Sequence, residues 1–335
     1  MIRFVSTALA LALAGTAYAA VDAQEAKALG TTLTPWGAEK AGNKEGTIPA
    51  YEGQVKIPAS YDPKKPGVRP DPYAGERPLF SITAQNADKY ADKLSPGVKE
   101  LLRKYPSFRL DVYPSHRPFT YPDYVVDNTL KNATSCKTKL DGQALTGCYG
   151  GIPFPIPKNG NEVMWNHLVR YQTFSWAGDF NSWVVAPDGK QMLQAKNHSF
   201  QDSPFYNPTN KGIAPDNQVF WRIRTDLTEP ARKVGEKLMV IDPLNWVNVG
   251  RRAYQYIPGQ RRVKLAPDLA YDTPSPQGGG AATMDEAQLF LGATDRYDFK
   301  LEDKEEKYIP YNNFKAHDAA QCSDAVLLKA HHLNP

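Results

Sequence analysis

The chain has 335 residues, and its 40 Lys plus Arg stand against 36 Asp plus Glu, a near-neutral balance that does not imply nucleic acid as a partner. Twenty-eight prolines and a mean hydropathy of −0.53 predict many ordered turns and exposed edges, while six Trp and eighteen Tyr are too many aromatics for a disordered chain. Such a length suits one large all-β domain or two smaller ones.

The first nineteen residues carry Arg3, an apolar run from about Ala8 to Leu13, and the small-x-small site Ala17-Tyr18-Ala19. This predicts a signal peptide at 1–19, cut after Ala19, and a soluble exported protein. No Cys follows the cut, so no amino-terminal lipid anchor is expected. Residues 20–80 repeat Pro and Gly every few positions and predict an extended surface arm with one short helix near Asp22 to Leu29. Residues 81–335 would form the main domain.

Two helices are expected next, Ala87 to Leu94 and a second capped by Ser95, with Pro96 at its first position and Val98, Leu101 and Leu102 on one face. "RLDVYPSHR" alternates as a strand. "YPDYVVDNTLKNAT" fits helix better than strand because Val126, Leu130 and Ala133 share helical spacing. Cys136 and Cys148 flank Asp141-Gly142; a three-residue hairpin loop at Asp141 to Gln143 would set them directly opposite. In an exported chain that predicts a disulfide worth about 3 kcal/mol, leaving Cys322 without a partner.

In "GGIPFPIPKNGNEVMWNH" the prolines at 153, 155 and 157 force an extended strap with Ile152, Phe154 and Ile156 projecting to one side. Asn159 and Gly160 then start an amphipathic helix reaching Tyr171, with Met164, Trp165 and Leu168 along it. From Thr173 the period becomes two, which predicts an antiparallel sheet. A Pro187-Asp188-Gly189 turn makes its first hairpin, and "NQVFWRIRTDL" and "EKLMVIDPLN" are further strands. "RRAYQYIPGQRRVKLAP" is a hairpin in which pairing Ile257 with Gln260 places Tyr254, Tyr256, Val263 and Leu265 on the inward face, and Arg251, Gln255, Arg262 and Lys264 on the wet one. "QGGGAAT" reads as a flexible linker, Thr283 and Glu286 as the capping box of a helix from Met284 to Leu291, and "DRYDFKLEDKEEKYIPYNNF" as a last hairpin.

Motifs for common chemistries are missing: no GxSxG elbow, HExxH, Walker loop, GxGxxG or CxxC occurs, and the six histidines are scattered. No catalytic residue, metal or cofactor is assigned. Glu162 and His167 lie five apart on one helix, on different faces, and are expected to be a solvent-facing carboxylate and a hydrogen-bonded, half-buried imidazole. The aromatic and apolar face of the sheet must be covered by helices or by a ligand; an ordinary core and a hydrophobic pocket would use the same residues.

"LGTTLTPWGAEKAGNKEGTIPAYEG", "PYAGERPLFSITAQNADKYADKLSPG", "YPSFRLDVYPSHR", "GGIPFPIPKNGNEVMWNHLVRY", "YQYIPGQRRVKLAPDLAYDTPSP" and "TDRYDFKLEDKEEKYIPYN" together resemble the domain of unknown function 1329 family, from about Leu29 to Asn313. These are exported proteobacterial proteins similar to outer-membrane lipoprotein-sorting proteins. The resemblance implies a mainly β (α+β) fold like that of periplasmic lipoprotein carriers: a curved antiparallel sheet forming an incomplete barrel, with helices on its concave face. It also implies a periplasmic location and a partner such as a resistance-nodulation-division-type transporter or an outer-membrane protein. Relatives usually continue past "HHLNP" with further strands, so a carboxy-terminally incomplete barrel is expected.

The function expected is a non-enzymatic carrier or adaptor for a lipid or other hydrophobic molecule. Its ligand-binding set would be Ile152, Phe154 and Ile156 on the strap, Met164, Trp165 and Leu168 on the lid helix, and Tyr254, Tyr256, Val263 and Leu265 on the sheet, with Arg252 and Arg261 meeting an anionic head group. Alternatives are a cargo-free interaction protein docking through the arm, and a glycan-binding or glycan-cleaving protein using exposed Trp and Tyr beside two carboxyl groups.

Overall fold

The computed structural model describes residues 21–314 except 54–56, 66, 68 and 276–277. The signal peptide, its cut after Ala19, Cys322 and the carboxy-terminal end lie outside the described residues.

Six antiparallel strands form the central sheet: β5 (Ser175–Val185), β6 (Gln191–Asp202), β7 (Val219–Glu229), β8 (Lys237–Pro243), β9 (Arg252–Ile257) and β10 (Arg262–Leu265). They pair in chain order, so the sheet is a simple meander. Its edges, β5 and β10, do not pair with each other, and no closed barrel exists among the described residues. The Pro187-Asp188-Gly189 turn forms as expected: Ala186 N–H donates to Lys190 O at 2.9 Å and Gly189 N–H to Ala186 O at 2.8 Å. Alternation is cleanest on β6, where Ala195, Asn197, Ser199 and Gln201 are all buried on one face. Thr225 and Leu227 on β7, Val240 on β8 and Ala253 on β9 continue this covered face across the sheet.

Two smaller antiparallel strand pairs stand apart from this sheet. β1 (Phe80–Thr83) pairs with β2 (Arg109–Val112), and Ile82 packs there with Leu94, Phe108 and Leu102 of α1 (Pro96–Lys104). Ser95 caps that helix, its hydroxyl accepting from Val98 N–H, with Pro96 in the first turn where no N–H is required. The other pair, β3 (Lys137–Lys139) with β4 (Ala144–Thr146), is a true hairpin, closed by the Cys136–Cys148 disulfide. Its loop is one residue longer than expected: Lys139 pairs with Ala144, so the cysteines are not directly opposite. Gly147 absorbs the offset. Its φ is +70°, and a Cβ there would lie 2.4 Å from the Ser135 carbonyl oxygen.

The ambiguous "DYVVDNTLKNATS" is helix, α2 (Asp123–Ser135). Its covered stripe is Val125, Thr129, Asn132 and Ala133, whereas Leu130 is exposed, one helical step away from the face expected. The stripe is partly polar because it grips the backbone of the strap. Asn132 Nδ2 donates to Tyr149 O and Ile152 O at 3.1 and 3.0 Å, its Oδ1 accepts from Tyr149 N–H at 2.7 Å, and Thr129 Oγ1 accepts from Ile152 N–H at 2.9 Å. Gly151 permits the approach, since a Cβ would lie 2.5 Å from Thr129 N. After the strap, α3 (Gly160–Leu168) starts at Asn159, whose side chain accepts from Glu162 N–H at 3.0 Å.

Three carboxy-terminal expectations are corrected. Thr283–Glu286 makes half of a capping box, Thr283 N–H donating to Glu286 Oε2 at 2.6 Å, but no helix follows. The Thr283 hydroxyl turns to Asp285, and Gln288 and Leu289 adopt left-handed φ of 56° and 77°, which ends helical geometry. Gly278 to Thr283 are no free linker: Gly280 N–H donates to Ser275 O and Ala281 N–H to Gly278 O, both at 3.0 Å, and Thr283 bridges to Pro274. Residues 295–310 form no hairpin. They run extended across the amino-terminal half, with Tyr308 N–H donating to Lys93 O at 2.9 Å, Tyr308 against Phe80 and Tyr90, and Lys304 paired with Glu39 at 2.8 Å. The arm is anchored too: Trp36 meets Tyr51, Phe119 and Tyr121 edge-on, and Val21 and Leu29 pack against Ala133 and Ile156.

Candidate functional site

Strand alternation makes the floor of the candidate site. Trp221 and Ile223 on β7 and Leu238 and Val240 on β8 point the same way, and the segment from Ala266 to Leu291 crosses over them. The cover meets the floor at Leu291 and Ala266 but does not fill all the space above it. A cavity of about 240 Å³ remains, roofed by Leu269, Met284, Ala287 and Leu291. It exceeds the cavity of about 150 Å³ known to hold a benzene and falls below the usual range of about 300–1,000 Å³ for drug-sized ligands. From Lys237 at one end to Asp242 beside the other, β8 advances about 17 Å, so the space is elongated along the strand.

The inner end is closed by an ion pair, with Arg251 2% and Asp242 0% exposed. Arg251 Nε and Nη2 donate to the two carboxylate oxygens, both at 2.7 Å, in the bidentate geometry that suits a guanidinium. Further donations go from Nη1 to Leu269 O at 2.7 Å and from Nη2 to Leu291 O at 2.8 Å. One side chain thus ties the floor to both parts of the cover. Burial pushes the Asp242 carboxyl above its ordinary value, and the adjacent guanidinium opposes that shift. Towards the other end lie Leu227, Glu236, Lys237 and Gln255, where Lys237 is exposed and pairs with Asp226 at 2.8 Å. At the rim Arg170 hydrogen-bonds Gln288 Oε1, and His167 Nε2 lies 3.0 Å from Phe290 O.

None of the twelve residues expected to bind ligand lines this cavity. Phe154, Trp165 and Leu168 are in the solid main core, 4%, 1% and 4% exposed, and Trp165 Nε1 donates to Gly142 O at 2.7 Å. Ile156 packs on the arm instead, so the strap's apolar residues serve two separate clusters. Ile152 and Met164 are half-buried. The β9–β10 hairpin pairs Ile257 with Arg262 across a four-residue turn in which Arg261 is left-handed at φ 49°. That register lies two residues from the one expected, which keeps Tyr254, Tyr256, Val263 and Leu265 together on one face. The face is the outer one. Val240 pairs with Ala253, and those two are covered, while Met239 pairs with Tyr254 on the other side and Val263 and Leu265 are 64% and 61% exposed. Arg252 and Arg261 are exposed, and the cationic side chain that reaches the cavity is their neighbour Arg251, expected to be wet.

The Glu162–His167 pair is also corrected in part. Glu162 is buried, its carboxylate accepting from Lys158 N–H at 2.6 Å and Asn159 Nδ2 at 3.0 Å. It completes the cap of α3, and burial raises its pKa against those two hydrogen bonds. His167 is half-buried as expected, its pKa lowered by burial and by Arg170. Among the described residues there is no group of three or more His, Cys, Asp or Glu placed to hold a metal, and no helix long and apolar enough to cross a membrane.

Comparison with known proteins agrees with the resemblance in the sequence. The uncharacterized protein PA3922 of Pseudomonas aeruginosa is 42% identical over 331 residues, which is 97% of this chain and 71% of that relative's length. No solved structure matches the chain. The sequence profile of the family described as protein of unknown function (DUF1329) matches residues 81–335, and the chain belongs to that family.

Proposed function

We propose that the protein is a non-enzymatic carrier or adaptor of the periplasm that holds a lipid-like hydrophobic molecule between its open sheet and the 266–291 cover. It would work beside an export system of the cell envelope, such as a resistance-nodulation-division-type transporter or an outer-membrane partner, in the manner of the periplasmic lipoprotein carriers. The observation that supports this reading is the apolar cavity of about 240 Å³. Packing defects cost about 24 cal/mol per Å³, so an unfilled space of this size would forgo on the order of 5 kcal/mol, less whatever water in its open end recovers. A ligand supplies the contacts that the cover does not.

Native mass spectrometry of gently purified protein is expected to show co-purified lipid, released by Leu238→Trp, which fills the cavity. A clean apo mass, together with failure to bind any alkyl probe, would overturn the carrier reading. A cargo-free docking protein is the second reading, favoured by the exposed Val263 and Leu265 on edge strand β10.

A further inference from the structure

We infer that the cavity takes an alkyl chain tail-first and does not select its head group. This inference rests on the carrier reading and fixes the orientation and chemical class of the ligand. The blind end contains a buried cation, which at first sight invites a carboxylate or phosphate. That cation is already committed: four of the five guanidinium N–H groups of Arg251 are spent on Asp242, Leu269 O and Leu291 O. The pair carries no net charge, and Asp242 beside it would repel an incoming anion. Drawing Arg251 away would also leave a carboxylate buried alone and detach both parts of the cover.

The walls between the two ends are Ile223, Leu227, Leu238, Val240, Leu269 and Met284, with nothing ionised among them. Charge reappears only where Glu236 and Lys237 meet solvent. A charged head pushed to the blind end would lose its water and find only single N–H donors, Trp221 Nε1 and the fifth of Arg251, with the Asp242 carboxylate beside them, too little to replace its hydration, whereas an alkyl tail loses nothing there. With the head left at the Glu236–Lys237 end, affinity comes from the methylenes alone, and each buried CH₂ is worth about a fourfold gain. The gain stops when the chain has filled the roughly 17 Å between that end and the ion pair.

Isothermal titration of the full chain with octanoate, octyl glucoside and octyltrimethylammonium, each below its micelle concentration, tests the orientation; hexyl and decyl homologues of the glucoside test the chain. We expect the three octyl heads to bind within about threefold of one another and the glucosides to gain about fourfold per methylene. Octanoate binding more than tenfold tighter than octyl glucoside, or affinity independent of chain length, overturns the tail-first orientation while leaving the carrier reading intact. Absence of binding by every probe overturns both. Leu238→Trp is expected to abolish binding of all three heads together; since the chain series is read on the unaltered protein, the test survives if that variant does not fold.

Discussion

The strap with its helix, Gly150 to Leu168, and the cover from Ala266 to Leu291 do similar work, since both close an apolar surface beside the sheet. One packs solid and the other leaves a cavity. The difference lies in how each backbone is held. The strap is stiffened by three prolines and gripped at intervals by Asn128, Thr129 and Asn132 of α2, so Phe154, Trp165 and Leu168 are driven into the core. The cover carries one short 3-10 turn, Pro267–Ala270, and its middle bonds mainly to itself, as in Ser275 N–H to Ala282 O and Met284 N–H to Thr273 O; it reaches the rest of the protein near its two ends, through Ala266 N–H to Ala253 O, Arg251, Arg170 and His167. A segment tied at its ends can stand off the floor, and one clamped along its length cannot.

The sharpest break of this contrast is at the ion pair. Asp242→Ala should cost about 3–5 kcal/mol in chemical denaturation by leaving Arg251 buried and unpaired, and much of that loss should return in an Asp242→Leu/Arg251→Met double variant. A recovery of nothing would mean that Arg251 holds the cover by its carbonyl contacts more than by its charge pair. Next, Trp165→Ala in the packed region should cost about 3–5 kcal/mol, and Leu238→Ala beside the cavity about 2 kcal/mol, because the latter side chain already lacks contacts on one side. Equal costs would contradict the distinction between the two regions. Replacing Cys136 and Cys148 together by Ser should remove about 3 kcal/mol and act on the strap side only, leaving octyl glucoside affinity unchanged.

The smallest effect expected is the pH dependence at the rim. The folded pKa of His167 is depressed below its ordinary 6.5, so the unfolded chain takes up a proton first as pH falls. Its contribution to stability is therefore complete above about pH 6.5 and is lost as pH falls through the folded value. Melting temperature followed from pH 7.5 to 5 should decline less steeply in His167→Gln than in the parent protein. Glu162 contributes a slope of the opposite sign, since its raised pKa means that stability is lost as pH rises from the ordinary carboxyl value and the buried carboxyl ionises.

Much of the fold was legible because local chemistry dictated it. Ser95-Pro96 and Asn159 mark helix starts by supplying or excusing an N–H partner, Pro187-Asp188-Gly189 admits a tight turn, and alternation from Ser175 to Leu265 leaves little but antiparallel strands. The site was much less legible. Alternation divides a strand into two faces without saying which is covered, and on β9 the aromatic face, Tyr254 and Tyr256, is the outer one. The floor residues Trp221, Ile223, Leu238 and Val240 showed the same period-two signal, yet nothing local set them apart from any other strand.

Sequence by itself thus determined most elements up to Leu265, the order of the sheet's hairpins and the cysteine pair, all of which depend on residues a few positions apart. Tertiary structure alone decided which face of the sheet is inner, because that depends on Ala253 coming opposite Val240 and on a cover that lies well beyond the floor strands in the chain. It alone turned Arg251 inward, since a guanidinium is tolerated there only when Asp242 and two distant carbonyls converge on it. Contacts between segments so far apart leave no periodic trace, so the cavity became visible only once the chain was folded.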